Sequence, residues 1–357
     1  MIRSLTLRNF KCFGDLMLPL APMTLLTGLN SMGKSTVIQA LLCVAQSRFR
    51  ELILNGDLIQ IGTAKDVLYE GSQRDAIEIG IDGRVATFAY GDPHANELSL
   101  TPECTDIDTV YGLLGGRHWQ YLASERLGPR TSSEMNDAIV RHDHKIGVRG
   151  EYAAHYVSTF TDEPVHHALR HPAAASGSLG DQVDAWLTEI AVGTKVETVS
   201  HPEMDLVQLA VSFAQGRAKS SAYRPTNVGF GITYALPIVV AALAAPENSL
   251  LIVENPEVHL HPRAQTAIAR LLCMATQAGV QVLAESHSDH ILNGLRVAVK
   301  KGTLSSDAAA VHFFCKDVVD ERFVHNVISP TIDCDGRIDE WPAGFFDEYE
   351  RSLETLI

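Results

Sequence analysis

An α/β fold is predicted by three features of this sequence, each an apolar strand pattern that ends on a chemically loaded residue. Met23-Thr-Leu-Leu-Thr27 runs into the glycine loop Gly28-Leu-Asn-Ser-Met-Gly33-Lys34-Ser35-Thr36 and then a helical pattern. Leu250-Leu-Ile-Val253 ends on Glu254, and Val280–Glu285 is followed by Ser286-His287. Strands that are apolar along their whole length and alternate with helical patterns belong to a sheet covered on both faces.

The elements follow in order. Residues 2–10 and 15–20 read as short strands leading to the strand at 23–27. The helix after the glycine loop is predicted over Ser35 to Arg48, because Val37, Ile38, Leu41, Leu42 and Ala45 recur at helical spacing. Residues 67–69, 76–81, 85–90 and 97–100 read as further strands separated by Asp-Gly and Gly-Asp turns, which predicts an antiparallel side sheet. From 104 to 224 the pattern changes. A helix is predicted at Val183 to Ile190, a Pro/Ala/Ser/Gly-rich connector spans His171 to Gly180, and histidines accumulate. This reads as a mainly helical insertion between an N-terminal half, 1–103, and a C-terminal half, 225–357. No sustained a/d heptad appears in it, so a long coiled-coil arm is excluded. Beyond it come a strongly apolar helix at 232–245, a strand at 249–253 and a helix at 262–277 with Pro262 in its first turn. A strand at 280–285, a helix at 289–300 stopped by Gly302, strands at 309–316 and 323–328, and a last helix at 345–356 complete the order.

Composition narrows the functional classes. The 357 residues are 46% hydrophobic and 20% charged, an ordinary globular balance. No run of 18 apolar residues occurs and the chain opens directly as a strand, which predicts a cytoplasmic protein with no membrane partner. The net charge of −14 argues against a chain whose main work is coating nucleic acid. Any such contact is therefore local, and the basic stretches 126–130, 141–149 and 217–224 read as solvated faces. The six cysteines lack a C-x-x-C pair, so neither a zinc knuckle nor a disulfide framework is expected.

The glycine loop matches G-x-x-x-x-G-K-[ST] between strand and helix, the context a phosphate-binding P-loop (Walker A) requires. Gly28, Asn30, Ser31, Met32, Gly33, Lys34, Ser35 and Thr36 are the candidate nucleotide contacts. Backbone N–H groups close around the phosphates, the helix N-terminus adds partial positive charge, Lys34 reaches the terminal phosphates and Ser35 offers its hydroxyl to Mg²⁺. ATP and Mg²⁺ are the expected cofactors. Glu254 fits the Walker B acid, a carboxylate that a buried strand delivers to the magnesium shell, so Ser35 and Glu254 are the candidate metal residues. His287 stands where a strand-end histidine can sense the γ-phosphate. Gly229 and Gly231 open the apolar helix and make a further anion-ready N-terminus. The pairs His259/His261 and His142/His144 lack the further ligands a zinc site needs.

Together these motifs resemble the SMC/RecF/OLD (overcoming lysogenization defect) superfamily, in its small bacterial AAA-type group common in defence loci. The resemblance covers most of the chain: Leu7-Arg-Asn-Phe10-Lys11, the P-loop, Tyr121 to Arg130 with Glu-Arg-Leu-Gly-Pro-Arg, the signature-like Asn227 to Ile232, Glu254 to Pro262, Ser286-His287-Ser288, and Trp341 to Phe346. It implies an ABC-ATPase-like head with a mixed central sheet, and a homodimer or larger oligomer that sandwiches ATP between the P-loop of one copy and the signature loop of the other. It also places Asn9 and Lys11 near the adenine or ribose, and offers Glu125, Arg126 and Arg130 as contacts to a nucleic acid or partner or, in preference, as salt-bridged structural residues. Two departures matter. The Leu-Ser-Gly-Gly signature is replaced, with Gly229 at the serine position. The glutamate that usually follows the Walker B acid is Asn255, which cannot accept a proton from the attacking water; Glu257 is the nearest substitute. The expectation is a slow ATPase that regulates or scaffolds a separate effector, a nuclease or toxin, in anti-phage defence. The effector is expected on another chain, because the residues after the cassette are too few for a Toprim-type nuclease. A RecF/SMC-like DNA-repair ATPase and a non-catalytic ATP-dependent scaffold are the other classes; a transporter ATPase fits the signature poorly.

Overall fold

The computed structural model describes residues 1–47, 50–102 and 118–356. In chain order the first elements are β1 (Ser4–Phe10), β2 (Phe13–Pro19), β3 (Met23–Gly28), α1 (Lys34–Gln46), β4 (Glu51–Ile53) and α2 (Ala64–Val67). Next come β5 (Ala76–Ile81), β6 (Arg84–Ala89), β7 (Glu97–Ser99), β8 (Trp119–Leu122), β9 (Ser133–Glu134), α3 (Ala153–Phe160), α4 (Leu179–Ile190), β10 (Thr194–His201), β11 (Leu206–Gln215) and β12 (Ala218–Lys219). The chain closes with α5 (Phe230–Ala244), β13 (Leu250–Glu254), α6 (Pro262–Gln277), β14 (Gln281–Glu285), α7 (Asp289–Lys300), β15 (Ala309–Val319), β16 (Arg322–Ile328) and α8 (Glu348–Leu356). They form two compact units. The first comprises Met1–His118, Ala310–Thr331 and Ile338–Ile357; the second comprises Trp119–Ala309 and Ile332–Arg337.

In the first unit β2-β1-β5-β6 is an antiparallel sheet, the predicted side sheet. Its register pairs Leu5 with Ile81 and Leu7 with Ile79. These four side chains are fully buried, so period-two alternation places one apolar face inward. β3 is buried at all six positions, as a fully covered strand should be, and β15 lies beside it with β16 outside. α1 presses Val37, Ile38, Leu41 and Leu42 into the core, each contributing about 1.5–3 kcal/mol by burial. The helix stops where the Ser47 hydroxyl donates to Cys43 O and accepts from the N–H of Ile53, the last residue of β4. Arg48, placed by the sequence reading at the end of this helix, lies outside the described residues.

One prediction in this unit fails. Residues 67–69 are not a strand: Thr63 and Asp66 form a capping box that nucleates the single turn α2, and Leu68 makes only an isolated bridge to Phe10. The reciprocal cap satisfies two orphan N–H groups locally, which outweighs the β-propensity of Val67 and Tyr69.

In the second unit β8, β13 and β14 run parallel, with Leu250 opposite both Gln281 and Trp119. α5 is buried on nearly every face, which explains its apolar composition. α6 and α7 approach closely enough at Gly294 that an added Cβ would sit 2.5 Å from Ala269 Cβ. The segment 104–224, expected to be a mainly helical insertion, also carries strands. Among its described residues, strands β8 to β12 stand beside α3 and α4. β10 and β11 form an eight-pair antiparallel register from Thr194↔Phe213 to His201↔Leu206. The cause lies in the residues: Val196, Thr198 and Val199 in one strand and Val207, Leu209 and Val211 in the other favour a pleated hairpin, and Asp205 takes the left-handed turn at φ 53°. No helix among the described residues is long and apolar enough to cross a membrane.

Candidate nucleotide-binding site

The P-loop belongs to the first unit, and its conformation is fixed by close approach. Gly28 has φ 132°, and a Cβ there would lie 2.3 Å from the carbonyl oxygen of Phe314. Gly33 has φ 103°, and its Cβ would meet Phe13 at 2.7 Å and Cys12 Sγ at 2.8 Å. Ser31 between them is left-handed at φ 62°. Only glycine fits the first two positions, and the chain that results turns sharply into α1. No side chain caps α1 and no acid lies in its first turn, which leaves its N-terminus electropositive. Lys34 is 3% exposed, and its Nζ donates to Gly28 O at 3.0 Å and Leu29 O at 2.7 Å. The ammonium is therefore held against the loop. Thr36 is buried, its hydroxyl 3.6 Å from Cys12 Sγ, while Asn30 and Ser31 are exposed and Met32 and Ser35 half-buried. Lys11 donates to Gln39 on α1 at 2.7 Å, and Asn9 Nδ2 donates to Ala76 O at 3.1 Å, so both are tied to the scaffold.

This geometry makes a stability prediction. Gly28→Ala should lose at least ~2 kcal/mol through combined backbone strain and steric overlap. Gly83→Ala, also at positive φ but with nothing within 4 Å of the added Cβ, should lose only about 1 kcal/mol. Urea unfolding of both variants checks the difference; equal losses would mean that the Phe314 approach is soft.

The acidic and histidine motifs belong to the second unit. Glu254 ends β13 with both carboxylate oxygens engaged: Tyr121 Oη donates to Oε1 at 3.0 Å and the Ser124 N–H to Oε2 at 3.1 Å. Burial pushes the Glu254 carboxyl above the usual range, opposed by those two donors and by Arg126. Burial, then the neighbouring Glu254 charge, raises the Tyr121 hydroxyl, which stays protonated as a donor. Asn255 follows in the left-handed region at φ 43°, its N–H donating to Glu285 O at 2.8 Å. Asparagine is among the few residues that take this conformation at low cost.

Glu257 is placed differently from a free base. Its Oε2 accepts from the Ser286 hydroxyl and its Oε1 from the His287 N–H, both at 2.8 Å. The carboxylate thus clamps the turn between β14 and α7 and sets the backbone of His287, whose side chain is exposed. Ser288 caps α7 by accepting from the His290 and Ile291 N–H groups.

Gly229 is the N-cap of α5, with open space around it, and Gly231 lies 3.1 Å, from its added Cβ, to His259 O. His259 is left-handed at φ 61°, with its ring 4.3 Å from Tyr234 and 5.7 Å from Phe230. The signature-like loop and the segment after Glu257 therefore form one aromatic surface, on which Phe230 is 57% exposed. His261 is engaged as the N-cap of α6. No group of three or more His, Cys, Asp or Glu gathers to hold a metal among the described residues.

Tyr121 and Ser124 are contacts that sequence reasoning left unassigned, and Arg126 was offered there only as a nucleic-acid or partner contact or a structural ion pair; their signal was the stretch Tyr121 to Arg130. Glu125 does pair with Arg149 at 2.8 Å, and Arg141 with Asp137 at 2.9 Å, so the basic stretch 141–149 is largely neutralised. Arg126 is instead buried against backbone carbonyls, and burial lowers its pKa to about 10 while Glu257 and other acidic groups pull it back up.

Comparison with known proteins follows the same outline. Residues 1–85 match a family model described as an AAA ATPase domain, and residues 161–293 match an AAA-domain model whose description also names an AbiEii toxin and a type IV TA system. Residues 304–356 match a model described as a protein of unknown function, DUF3696. An OLD nuclease of Thermus scotoductus is 24% identical over 329 residues, covering 81% of this chain; the chain spans 59% of that relative's length. Among solved structures, the Smc head bound to the C-terminal winged-helix domain of ScpA superposes with a TM-score of 0.57 at 14% identity, covering 93% of this chain and 98% of that one. An Smc head with an extended coiled coil, bound to the C-terminal domain of ScpA from Pyrococcus furiosus, gives 0.55 at 12% identity and 99% of each chain. The heads show the fold, an α/β P-loop head with a mixed central sheet and antiparallel sheets. With the motifs, the two AAA-domain models and the OLD relative make this chain similar to the AAA- and ABC-type ATPases of the SMC/RecF/OLD superfamily.

Proposed function

We propose that this chain is a nucleotide-operated switch that binds Mg·ATP at the Gly28–Thr36 loop, hydrolyses it slowly, and pairs with a second copy to regulate a separate effector. The observation that carries the reading is the loop itself: two glycines that admit no Cβ, an α1 N-terminus without a side-chain cap, and a buried lysine ammonium held at its mouth. These are the fittings for a triphosphate. Lys34 and the loop amides are the groups that would hold the phosphates, and Ser35 and Glu254 those that would hold the magnesium. When bound, that ion neutralises charge on the β- and γ-phosphates. The Glu254 carboxylate has about four acceptor positions and two donors on it, so lone pairs remain for metal-bound water.

Slow turnover is supported by Asn255, whose amide takes no proton, and by Glu257, whose carboxylate is held on the Ser286 hydroxyl and the His287 N–H at the turn between β14 and α7. Pairing is supported by the exposed Phe230 beside Gly229 at the start of α5. A role in bacterial anti-phage defence, with a nuclease or toxin as effector, is supported by the OLD relative and by the family model naming an AbiEii toxin. Titration calorimetry of the full chain with Mg²⁺ and a non-hydrolysable ATP analogue tests the core of this reading, with light scattering before and after. A saturable heat and a nucleotide-dependent doubling of mass are expected. Absence of heat overturns the reading; heat without a mass change removes the pairing.

A further inference from the structure

We infer that Arg126 is a positioning residue that sets the Glu254–Asn255 turn, and so the orientation of the Glu254 carboxylate toward magnesium. This rests on the ATPase reading above. Arg126 is 2% exposed. Its Nη1 donates to Glu254 O at 2.7 Å and Ala123 O at 3.2 Å, and its Nη2 donates to Asn255 O at 2.6 Å. One planar guanidinium thus grips two consecutive carbonyls of the turn and one carbonyl of its own loop. The Asn255 N–H is held at the same time by Glu285 O at 2.8 Å. The peptide groups on both sides of the left-handed residue are therefore fixed from opposite directions, independently of the Asn255 side chain.

The same loop supplies the donors to the carboxylate. Ser124 and Tyr121 each bind one oxygen of Glu254, and the Arg126 N–H closes the loop onto Ser124 O at 3.0 Å. Arg126 therefore joins the backbone of the acidic turn to the segment that aims its side chain. Stability alone is a poor reason for this arrangement. A buried guanidinium gives up its hydration, and here its hydrogen bonds go to neutral carbonyls while Nε makes none. Lysine could not substitute, since a single ammonium lacks the planar fork that reaches both carbonyls.

The test uses the full-length chain, with Arg126→Lys and Tyr121→Phe beside the wild type. Calorimetry measures the Kd for ATP in excess Mg²⁺ and in EDTA; the P-loop alone serves the second measurement. In Arg126→Lys the preference for Mg·ATP over free ATP should fall by about tenfold, with the EDTA value unchanged. Tyr121→Phe, which deletes one oxygen, should shift the same ratio by a smaller amount. An unchanged ratio, or an equal weakening of both Kd values, overturns the assignment and leaves Arg126 a structural residue. Should Arg126→Lys fail to fold, Tyr121→Phe decides, and an unchanged ratio there overturns the proposal equally. A wild type that binds neither form of ATP would instead dispose of the ATPase reading.

Discussion

Lys34→Ala should weaken Mg·ATP binding by about 100-fold and reduce phosphate release to background. A lysine ammonium on phosphate makes charge-assisted hydrogen bonds, each worth about 1.5–3 kcal/mol, and 1.4 kcal/mol corresponds to about tenfold in affinity. Two such bonds more than account for the loss. Lys34 already sits at the loop mouth, 3% exposed, with Nζ within 3.0 Å of Gly28 O and 2.7 Å of Leu29 O. Binding therefore costs little extra ordering of its long side chain, which preserves the interaction energy. Removing the ammonium also strips a donor from two loop carbonyls, so the variant should unfold at slightly lower denaturant even without nucleotide. Calorimetry separates the two effects. Wild-type affinity in a folded Lys34→Ala chain would show that the Gly28–Thr36 loop is not where ATP binds.

The second large effect is a gain. Asn255→Glu restores a carboxylate at the position after the Walker B acid, where a general base is worth about 10²–10⁴-fold in rate. The structure tempers the expected gain. Asn255 lies at φ 43°, a region where glutamate is strained by about 1–2 kcal/mol. Part of the turn should relax, and a rise in turnover of about tenfold is the expected net outcome. The control is Asn255→Gln, which carries the same length and the same backbone strain without the base. Multiple-turnover phosphate release should therefore increase in the glutamate variant alone, and both variants should show the same loss of stability in urea. If glutamate and glutamine variants turn over equally, the missing carboxylate is not what limits this chain.

The two variants test links of different kinds. Lys34 acts through charge and is legible from the motif. The consequence of Asn255 depends on a backbone angle that no motif states. The sequence showed that an amide replaces a base; only the structure shows the left-handed backbone that asparagine tolerates there, with its main-chain N–H on Glu285 O and its main-chain carbonyl on Arg126.

The same division runs through the molecule. The P-loop, the apolar strands at 23–28 and 250–254, and the helices 262–277 and 289–300 were readable because their signals are local: a fixed spacing, a periodic apolar face, a cap or a proline at the first turn. The β10–β11 hairpin was also written locally, in alternating branched residues, but the helix-like pattern at 183–190 and the nearby histidines drew the whole segment toward a helical reading. α2 was lost to a competing signal, because a four-residue capping box outweighed a short β-like run.

By itself the sequence determined the elements and the chemistry each strand end carries. Tertiary structure alone decided the company those groups keep. Tyr121 reaches Glu254 across 133 residues, and Glu257 reaches Ser286 across 29. Strand register brings such partners together, and register is fixed by packing and long-range hydrogen bonds rather than by the pattern of either segment. A residue's type is therefore visible in the chain, whereas its role as free acid, clamp or positioning group is settled by neighbours that only folding supplies.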